Sequence, residues 1–516
     1  MRLIRLAIKS PFKNLNGFEI GFPPREDVTV VIGRNGAAKS NLLESLIAIF
    51  TSIDMNAPSE FTYEIEYLIQ GQIVSISCEK KGRPTAKLGD KRLSRNSLVD
   101  EYMPRHLVAY YSGESDRFKQ LFYRHDDQAL DKTLNKGESH LRDPSKLEFR
   151  KFICARPEHG LFSLLAFYFS NDEVVQQFLR ELPRITGFDS CLLVAHKPNW
   201  ARTGSAAGDF WGAKGPVRVL LNRFLEHSLG AFVGSERVRV GVKKYETREL
   251  VYLYIPDSKA LDAIAKEYDN EPQALFQALD TMRLSDLLES FRVRVSVLGA
   301  DNAIHTRELS EGEQQLLTVL GLMRFTKNDH SLYLLDEPDT HLNPTWSTNY
   351  LLYLGNLAGL FDNSHTLIST HDPLLVSGLR KEQIRVLSRN RAGQITAEQP
   401  EDDPRGTGVA NVLTSDLYGL ESQLDPYSLG VLKEMYELSQ QEKSKKRDER
   451  LAELRARVPA LEILETSPDP YRNIAMQAYE MALDMAIDSE GDNAKRSRIV
   501  EALAKRLYEE AEDEVE

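Results

Sequence analysis

The chain contains few cysteines, and their spacing matches no common metal or disulfide framework. Only three occur in 516 residues, and Cys78, Cys154 and Cys191 lie far apart without CxxC or Cys/His spacing. This argues against a zinc site and against a disulfide scaffold. We expect three buried free thiols, which behave as small apolar side chains.

Long apolar runs are also missing. The longest, Gly160–Ser170, is far shorter than the roughly 20 residues of a membrane helix. The opening residues, MRLIRLAIKSPFK, carry a charge every few positions, which the apolar segment of a signal peptide does not. We therefore expect a cytoplasmic protein that has no membrane partner.

An excess of positive charge is absent as well. The formal net charge is −12, which argues against a protein that coats nucleic acid through bulk electrostatics. Arg218–Arg223 and Arg380–Arg391 are local basic stretches, although such stretches are usually solvated surface. DNA therefore stays open as a partner.

The length of 516 residues predicts two or three domains.

A glycine-bearing loop follows the first buried strand. The apolar run Val28–Ile32 leads into Gly33–Ser40 (GRNGAAKS), and Asn41–Phe50 then has helical spacing. This pattern is typical of a phosphate-binding loop, in which Lys39 supplies a charge and Ser40 a hydroxyl for Mg²⁺. Ala38 replaces the last glycine of the pattern. If the backbone of Ala38 is helical, the replacement needs only room for a methyl group. The alternative is an ordinary strand–loop–helix turn.

A second apolar strand ends in two adjacent carboxylates. Ser331–Leu335 is followed by Asp336 and Glu337, whose side chains point to different sides of an extended backbone. Asp336 is suited to hold Mg²⁺ through water, and Glu337 to orient the attacking water in phosphoryl transfer. Taken alone, the pair is more typical of a strand that runs into an Asp/Glu turn.

Two further motifs complete the set. Leu309–Gln315 (LSEGEQQ) opens a helix with a capping serine at Ser310 and a glycine at Gly312 that permits close backbone approach. A capping box without any other role is the alternative. His371 follows the strand His365–Ser369 and could contact a γ-phosphate oxygen, although a lone histidine is usually structural.

In this order, the motifs resemble the Walker A, signature, Walker B, D-loop and His-switch elements of ABC-type ATPases of the SMC and RecF kind, over roughly residues 1–120 and 290–395. The resemblance implies an α/β fold, the ABC-ATPase head: a P-loop NTPase with a mixed sheet flanked by helices. It also implies ATP and Mg²⁺ as cofactors. The resemblance further implies a head-to-tail dimer, in which the signature of one chain completes the ATP site of the other, or a larger oligomer built of such dimers.

The resemblance assigns roles to single residues. Glu337 and His371 are the catalytic residues, and Ser40 and Asp336 hold the metal. Asp339 lies where the D-loop reaches across the dimer, and the Q-loop residue falls somewhere in Ser112–Gln120. The predicted nucleotide contacts are Gly33, Asn35, Gly36, Ala37, Ala38, Lys39, Ser40, Asn41, Phe12, Lys13, Ser310, Gly312, Glu313 and Asp339.

A narrower resemblance concerns the ATPases of bacterial anti-phage systems, PtuA of Septu systems and the related retron-associated ATPase. It rests on AYYSGE (109–114), LDEPDTHLNP (335–344), ISTHDPLLVSGL (368–379) and LTSDLYGLESQLD (413–425). It implies a regulatory subunit that controls a separate HNH-type nuclease; DNA, or a retron reverse transcriptase with its msDNA, are further partners left open. The alternatives are a RecF/SMC-like DNA repair ATPase and a sensor ATPase that partners a Toprim nuclease.

The motifs divide the chain into four predicted parts. Residues 1–115 form the first lobe of the head, 116–290 a mostly helical insertion, and 291–400 the second lobe. Residues 401–516 form a helical C-terminal region. In that region Tyr427–Leu438 and Tyr471–Ile487 carry apolar residues at helical spacing, suited either to a partner groove or to covering the core.

Overall fold

The computed structural model describes residues 1–135, 149–170, 172–327, 330–358, 364–420, 422, 424–439, 441 and 444–458. Two compact units are present, Met1–Gly419 and Leu420–Glu516. The division therefore falls later than the predicted start of the C-terminal region at residue 401. Across the described ranges, every helix is too short or too polar to span a bilayer.

The described residues form the following strands and helices, of which the last two helices belong to the second unit. The strands are β1 (Arg2–Ile8), β2 (Phe18–Gly21), β3 (Val28–Gly33), β4 (Tyr63–Ile69), β5 (Gln72–Cys78), β6 (Thr85–Leu88), β7 (Lys91–Arg92), β8 (Leu107–Tyr111), β9 (Phe152–Cys154), β10 (Ile185–His196), β11 (Ala231–Gly241), β12 (Lys244–Ile255), β13 (Leu288–Val297), β14 (Ile304–His305), β15 (Leu332–Asp336), β16 (His365–Ser369), β17 (Ile384–Arg389) and β18 (Ile395–Glu398). The helices are α1 (Lys39–Asp54), α2 (Arg95–Glu101), α3 (Lys119–Asn135), α4 (Pro157–Tyr168), α5 (Glu173–Glu181), α6 (Gly215–His227), α7 (Ser258–Lys266), α8 (Pro272–Leu284), α9 (Glu311–Phe325), α10 (Pro344–Tyr353), α11 (Pro373–Val376), α12 (Val409–Thr414), α13 (Pro426–Ser439) and α14 (Lys445–Arg457).

The central sheet brings the predicted motifs to one edge. It has seven strands in the order β18-β17-β3-β16-β15-β8-β9, and its neighbours are parallel except for the β17–β18 pair. Asp336 at the end of β15 lies in register with Ser369 of β16 and Tyr111 of β8. The loops that follow β3, β15 and β16 therefore emerge together, where open α/β sheets bind ligands.

A six-stranded antiparallel sheet, β2-β1-β4-β5-β6-β7, accompanies the central sheet. Buried residues alternate along β4 because one face packs on the core that also takes in the apolar side of α1. The strands of the central sheet are instead buried throughout, as in β15, which is typical of parallel sheets covered on both faces. This mixed architecture, flanked by helices, confirms the predicted ATPase-head fold class.

Residues 116–290 contain more strand than we expected. Helices α3 to α8 lie there, but β10, β11 and β12 form a five-stranded antiparallel sheet with β13 and β14, in the order β11-β12-β10-β13-β14. In addition, β9 pairs with β8 at the edge of the central sheet. A stretch within the predicted insertion thus belongs to the head itself.

The predicted state of the cysteines is confirmed. Cys78, Cys154 and Cys191 are all free and buried. Burial raises the pKa of the Cys154 thiol to about 11, which keeps it protonated and unreactive near neutral pH.

Candidate nucleotide-binding site

The loop between β3 and α1 has the geometry of an anion cradle. Gly33 has φ 153°, and a Cβ there would lie 2.4 Å from the backbone oxygen of Leu387 on β17, so a side chain is excluded. Gly36 has φ 81°, and its carbonyl accepts from Asn14 Nδ2 at 3.2 Å. The loop runs directly into the first turn of α1, where backbone N–H groups face outward and favour a phosphate.

Ala38 departs from the expected backbone. Its φ is 72° and its ψ 18°, so it is left-handed rather than helical. An L-residue in this region costs about 1–2 kcal/mol that glycine does not. The helical backbone under which Ala38 would need only room for its methyl group is therefore not present, and the cost lies in the backbone.

Replacing Ala38 with glycine should stabilise the protein. We expect Ala38→Gly to raise the free energy of unfolding by about 1 kcal/mol, since relief of the left-handed strain exceeds the entropy glycine adds to the unfolded chain. Chemical denaturation measures the change. Ala37→Gly is the matched control: Ala37 is buried and is absent from the positive-φ residues, so glycine there should destabilise. A loss of stability in both variants would contradict this account.

Lys39, His371 and Glu337 form a polar cluster above the loop. Lys39 is 6% exposed; its Nζ donates to the carbonyl of Gly33 at 3.0 Å and contacts His371 Nε2. His371 Nε2 also lies 3.4 Å from Glu337 Oε1. Burial, together with the Lys39 charge, lowers the pKa of His371, so the imidazole is neutral near pH 7 and Nε2 can accept from Lys39.

Asp336 and Ser40 place a carboxylate and a hydroxyl side by side next to this cluster. Asp336 is 2% exposed and accepts from Ser369 Oγ. Burial raises the pKa of Asp336, against hydrogen bonds from Ser369 and Ser40 that lower it. A carboxylate next to a hydroxyl is the donor set that Mg²⁺ takes in phosphate-binding sites, so the residues fit the implied metal.

Glu337 is held in a strained conformation. Its φ is 50°, while its N–H donates to the Ser369 carbonyl at 2.9 Å and its own carbonyl accepts from Thr340 Oγ1 at 2.9 Å. Left-handed residues cost energy and cluster at functional sites. The Glu337 side chain is 38% exposed whereas Asp336 is buried, so the two carboxylates face different surroundings.

The signature segment begins α9. Ser310 is its N-cap, and a capping box joins Ser310 to Glu313 through Ser310 N to Glu313 Oε2 at 2.7 Å and Glu313 N to Ser310 Oγ at 3.3 Å. A Cβ at Gly312 would lie 2.5 Å from the His341 carbonyl, which explains the glycine. Within the described ranges, no hydrogen bond or ion pair joins residues 310–313 to 33–41, so a nucleotide role for Ser310 stays a prediction that needs a second chain.

Other predicted nucleotide contacts have partners within the chain. Phe12 is 9% exposed and packs on Phe61 with ring centroids 4.5 Å apart, so its ring belongs to the core. Lys13 Nζ pairs with Glu44 at 2.5 Å. Asn41 Nδ2 donates to Asn14, whereas Asn35 is exposed in the loop.

Asp339 faces inward. It is 5% exposed and accepts from Thr370 Oγ1 of its own chain, so its side chain does not project from the surface as the D-loop assignment implied. Burial raises the pKa of Asp339 to about 7, with Asp372 adding to the rise against the Thr370 hydrogen bond. Contact across a dimer by this residue stays a prediction.

The raised pKa of Asp339 predicts a pH-dependent stability. The folded chain keeps a proton that the unfolded chain releases, so stability falls as pH rises from about 4 to about 7. Asp339→Asn carries no such charge and should be the more stable protein at pH 8, by up to about 4 kcal/mol, with the advantage vanishing toward pH 4. Melting temperatures across this range measure it, and the exposed Asp402→Asn is the control. Parallel curves for parent and Asp339→Asn would contradict the assignment.

Arg117 is a site residue that sequence reasoning did not single out. It falls in the region predicted to hold the Q-loop and donates through Nη2 to Asn41 and Glu44 on α1. The sequence contains a cue, an arginine just after YYSGE, but no spacing rule connects it to the phosphate-binding loop.

Sequence comparisons relate this chain to a protein family and to named ATPases or defence proteins. Residues 215–377, less than half of the chain, match the family described as "AAA domain, putative AbiEii toxin, Type IV TA system". The chain is 29% identical over 120 residues to the Septu protein PtuA of Bacillus mycoides. The aligned segment covers 22% of this chain and 16% of PtuA. It is 21% identical over 406 residues to the Retron Vc95 probable ATPase of Vibrio cholerae, covering 70% of this chain and 69% of the relative.

Two solved structures are also among the matches to this chain. The SMC head domain from Thermotoga maritima is 13% identical, with a TM-score of 0.32 and coverage of 78% of this chain and 100% of that one. The recombination mediator RecF is 14% identical, with a TM-score of 0.28 and coverage of 77% and 97%. The sequence relatives and the family match confirm the resemblance to ABC-type AAA ATPases of defence systems.

Proposed function

We propose that this chain hydrolyses ATP with Mg²⁺ and acts as the regulatory subunit of a bacterial anti-phage system that controls a separate effector nuclease of the HNH type. The observation that carries the ATPase part is the convergence of Lys39, Asp336, Glu337 and His371 at one edge of the central sheet. Phosphoryl transfer needs little beyond such placed charges. The defence role is supported by similarity to the Septu and retron ATPases.

The test of the ATPase part is turnover of ATP by the purified chain. Hydrolysis should require Mg²⁺, and Lys39→Ala should remove nucleotide binding because it deletes the buried cation of the loop. Lys91→Ala, on an exposed strand, is the matched control. Absence of ATP binding by the parent would refute the proposal, and strong stimulation of turnover by DNA would favour the repair-ATPase alternative.

A second copy of the chain is part of the proposal. Ser310 is exposed and lies at the N-terminus of α9, where backbone N–H groups and the helix dipole favour a phosphate. A γ-phosphate bound to another copy would meet this end in a head-to-tail dimer. The same arrangement accounts for a signature segment that, among the described residues, makes no hydrogen bond or ion pair with its own phosphate-binding loop.

The second unit offers a surface for the effector. On α13, Tyr427, Leu432 and Tyr436 are 59%, 38% and 62% exposed, and large exposed apolar side chains on one helix suit a partner groove. The other predicted docking stretch, Tyr471–Ile487, lies outside the described residues. We therefore place the testable part of the effector interface on α13.

Substitutions on α13 should separate docking from catalysis. We combine Tyr427→Ala, Leu432→Ala and Tyr436→Ala in one variant. It should bind ATP as the parent does, because no residue of the nucleotide cluster lies on this helix. It should no longer co-purify with a nuclease encoded by a neighbouring gene. The exposed Glu437→Ala on the same helix is the control. Retained nuclease binding would move the interface to residues 116–290, whereas loss of soluble protein would mean that these side chains of α13 are needed for folding.

A further inference from the structure

Arg117 joins segments that surround the nucleotide loop. It lies in residues 112–118, which lead from β8 to α3, and its Nη2 donates to Asn41 Oδ1 and, at 2.5 Å, to Glu44 Oε2. Glu44 is 4% exposed, and its carboxylate also accepts a hydrogen bond from Lys13 Nζ at 2.5 Å. The carboxylate of Glu44 thus stands between two cations from different parts of the chain.

The contacts of Arg117 continue to the loop itself. Asn41 accepts from Arg117 through Oδ1 and donates through Nδ2 to Asn14 Oδ1. Asn14 in turn donates to the carbonyl of Gly36 at 3.2 Å. Arg117 is therefore linked to the backbone of the phosphate-binding loop through two amide side chains, each of which uses both its donor and its acceptor.

Residues 112–118, which carry Arg117, are also hydrogen-bonded to Asp336, the residue expected to hold the metal. Ser112 N donates to the Asp336 carbonyl at 3.2 Å. At the other end, Phe118 is fully buried and packs against Tyr111 with ring centroids 5.1 Å apart. Arg117 thus lies between two anchors, one on the strand end that presents Asp336 and one in the core.

Stability is a poor explanation for this arrangement. A carboxylate as buried as Glu44 costs several kcal/mol of desolvation, and apolar replacements of buried ion pairs are often neutral or stabilising. Arg117 Nε is in addition buried and has no hydrogen-bond partner among the described residues. A buried ionic contact next to a reactive site is better explained by the geometry that it imposes.

We propose that Arg117 is a positioning residue of the nucleotide site. By bridging Asn41 and Glu44 it fixes the start of α1 against residues 112–118, so that Ser40 on α1 and Asp336 on β15 keep the separation that the metal-bound nucleotide needs. This inference rests on the proposed ATPase activity. Misplacement of reacting groups by about 1 Å can cost about 100-fold in rate, and binding through the loop backbone is far less sensitive.

The test is a split between turnover and binding. Arg117→Gln should lower kcat by about 10-fold to 100-fold while the Kd for Mg-ATP stays unchanged. Arg117→Lys should restore part of the rate, since it keeps the charge but not the planar guanidinium whose Nη2 donates to both Asn41 and Glu44. Glu44→Gln should lower kcat similarly, and the double variant should be no worse than the poorer single one, because both act through one contact. Lys9→Gln, whose partner is Glu64 on β4, is the control and should match the parent.

The outcomes separate this inference from the proposed function. A parent that hydrolyses no ATP would refute the ATPase proposal and this inference with it. A parent that hydrolyses ATP, together with an Arg117→Gln variant at the parent's kcat, would overturn the inference alone. Additive losses in the double variant, or a rate loss that merely follows a lower melting temperature and weaker ATP binding, would overturn it too, because they indicate a purely structural contact.

Discussion

Glu337→Gln should bind Mg-ATP as tightly as the parent and turn it over about 10²–10⁴-fold more slowly, the range that a positioned general base contributes. The amide is nearly the same size as the carboxylate but cannot accept a proton from the attacking water. The side chain is 38% exposed and stands 3.4 Å from His371, at the sheet edge where the γ-phosphate is expected. Single-turnover hydrolysis and equilibrium ATP binding measure the two effects separately.

The control for this substitution is Glu398→Gln, an exposed glutamate at the end of β18, which should behave as the parent. Turnover by Glu337→Gln at the parent rate would show that another group activates the water. Loss of ATP binding in the variant would instead show that Glu337 acts in the ground state, through its contact with His371.

Ser310→Arg should abolish ATP-dependent association and with it nearly all turnover, while each chain still folds and binds ATP. The reason is steric and electrostatic: a long cation would replace a small capping hydroxyl at the surface expected to meet a phosphate of another copy. Lost capping alone costs about 1 kcal/mol, which is too little to unfold the chain. Ser94→Arg makes the same change at the N-cap of α2 and should leave association intact.

Mixing the Ser310→Arg chain with the Lys39→Ala chain adds a second test. In a head-to-tail dimer, a mixed pair holds one site with both lesions and one site with neither. Each variant alone should be inactive, and the mixture should recover up to about a quarter of the parent's turnover, since at most half of the dimers are mixed. No recovery at any ratio, together with an active Ser310→Arg chain, would mean that each chain holds a complete site.

The sequence predicted those features whose determinants are contiguous. The phosphate-binding loop and the Asp336–Glu337 pair lie directly after apolar strands, so short patterns were enough to place them at one sheet edge. Apolar and polar residues alternate strictly from Arg292 to Val297, a pattern that predicts strand β13. Strand β10, which pairs with it, was missed because register shifts between Ile185 and Gly187, and again between Phe188 and Ser190, break the alternation along its sequence.

Other features depend on contacts between residues distant in the chain. The left-handed backbone of Ala38 cannot be read from its side chain, and the burial of Phe12 follows from Phe61. Asp339 is inward-facing because Thr370, directly after β16, donates a hydrogen bond from Oγ1 to its carboxylate. Arg117 reaches α1 across 73 positions of sequence to Glu44, a separation at which a single sequence offers no periodicity to follow.

The most direct test of a composite ATP site is the mass of the Glu337→Gln chain in solution with Mg-ATP and with Mg-ADP. Slow turnover in this variant should trap the closed state, so the account predicts two chains per particle with ATP and one with ADP, and one with either nucleotide when Ser310→Arg is added. Sedimentation velocity gives the masses, and bound nucleotide is counted in parallel. A particle of one chain that holds ATP at full occupancy, or a dimer that forms equally with ADP and survives Ser310→Arg, would contradict the account.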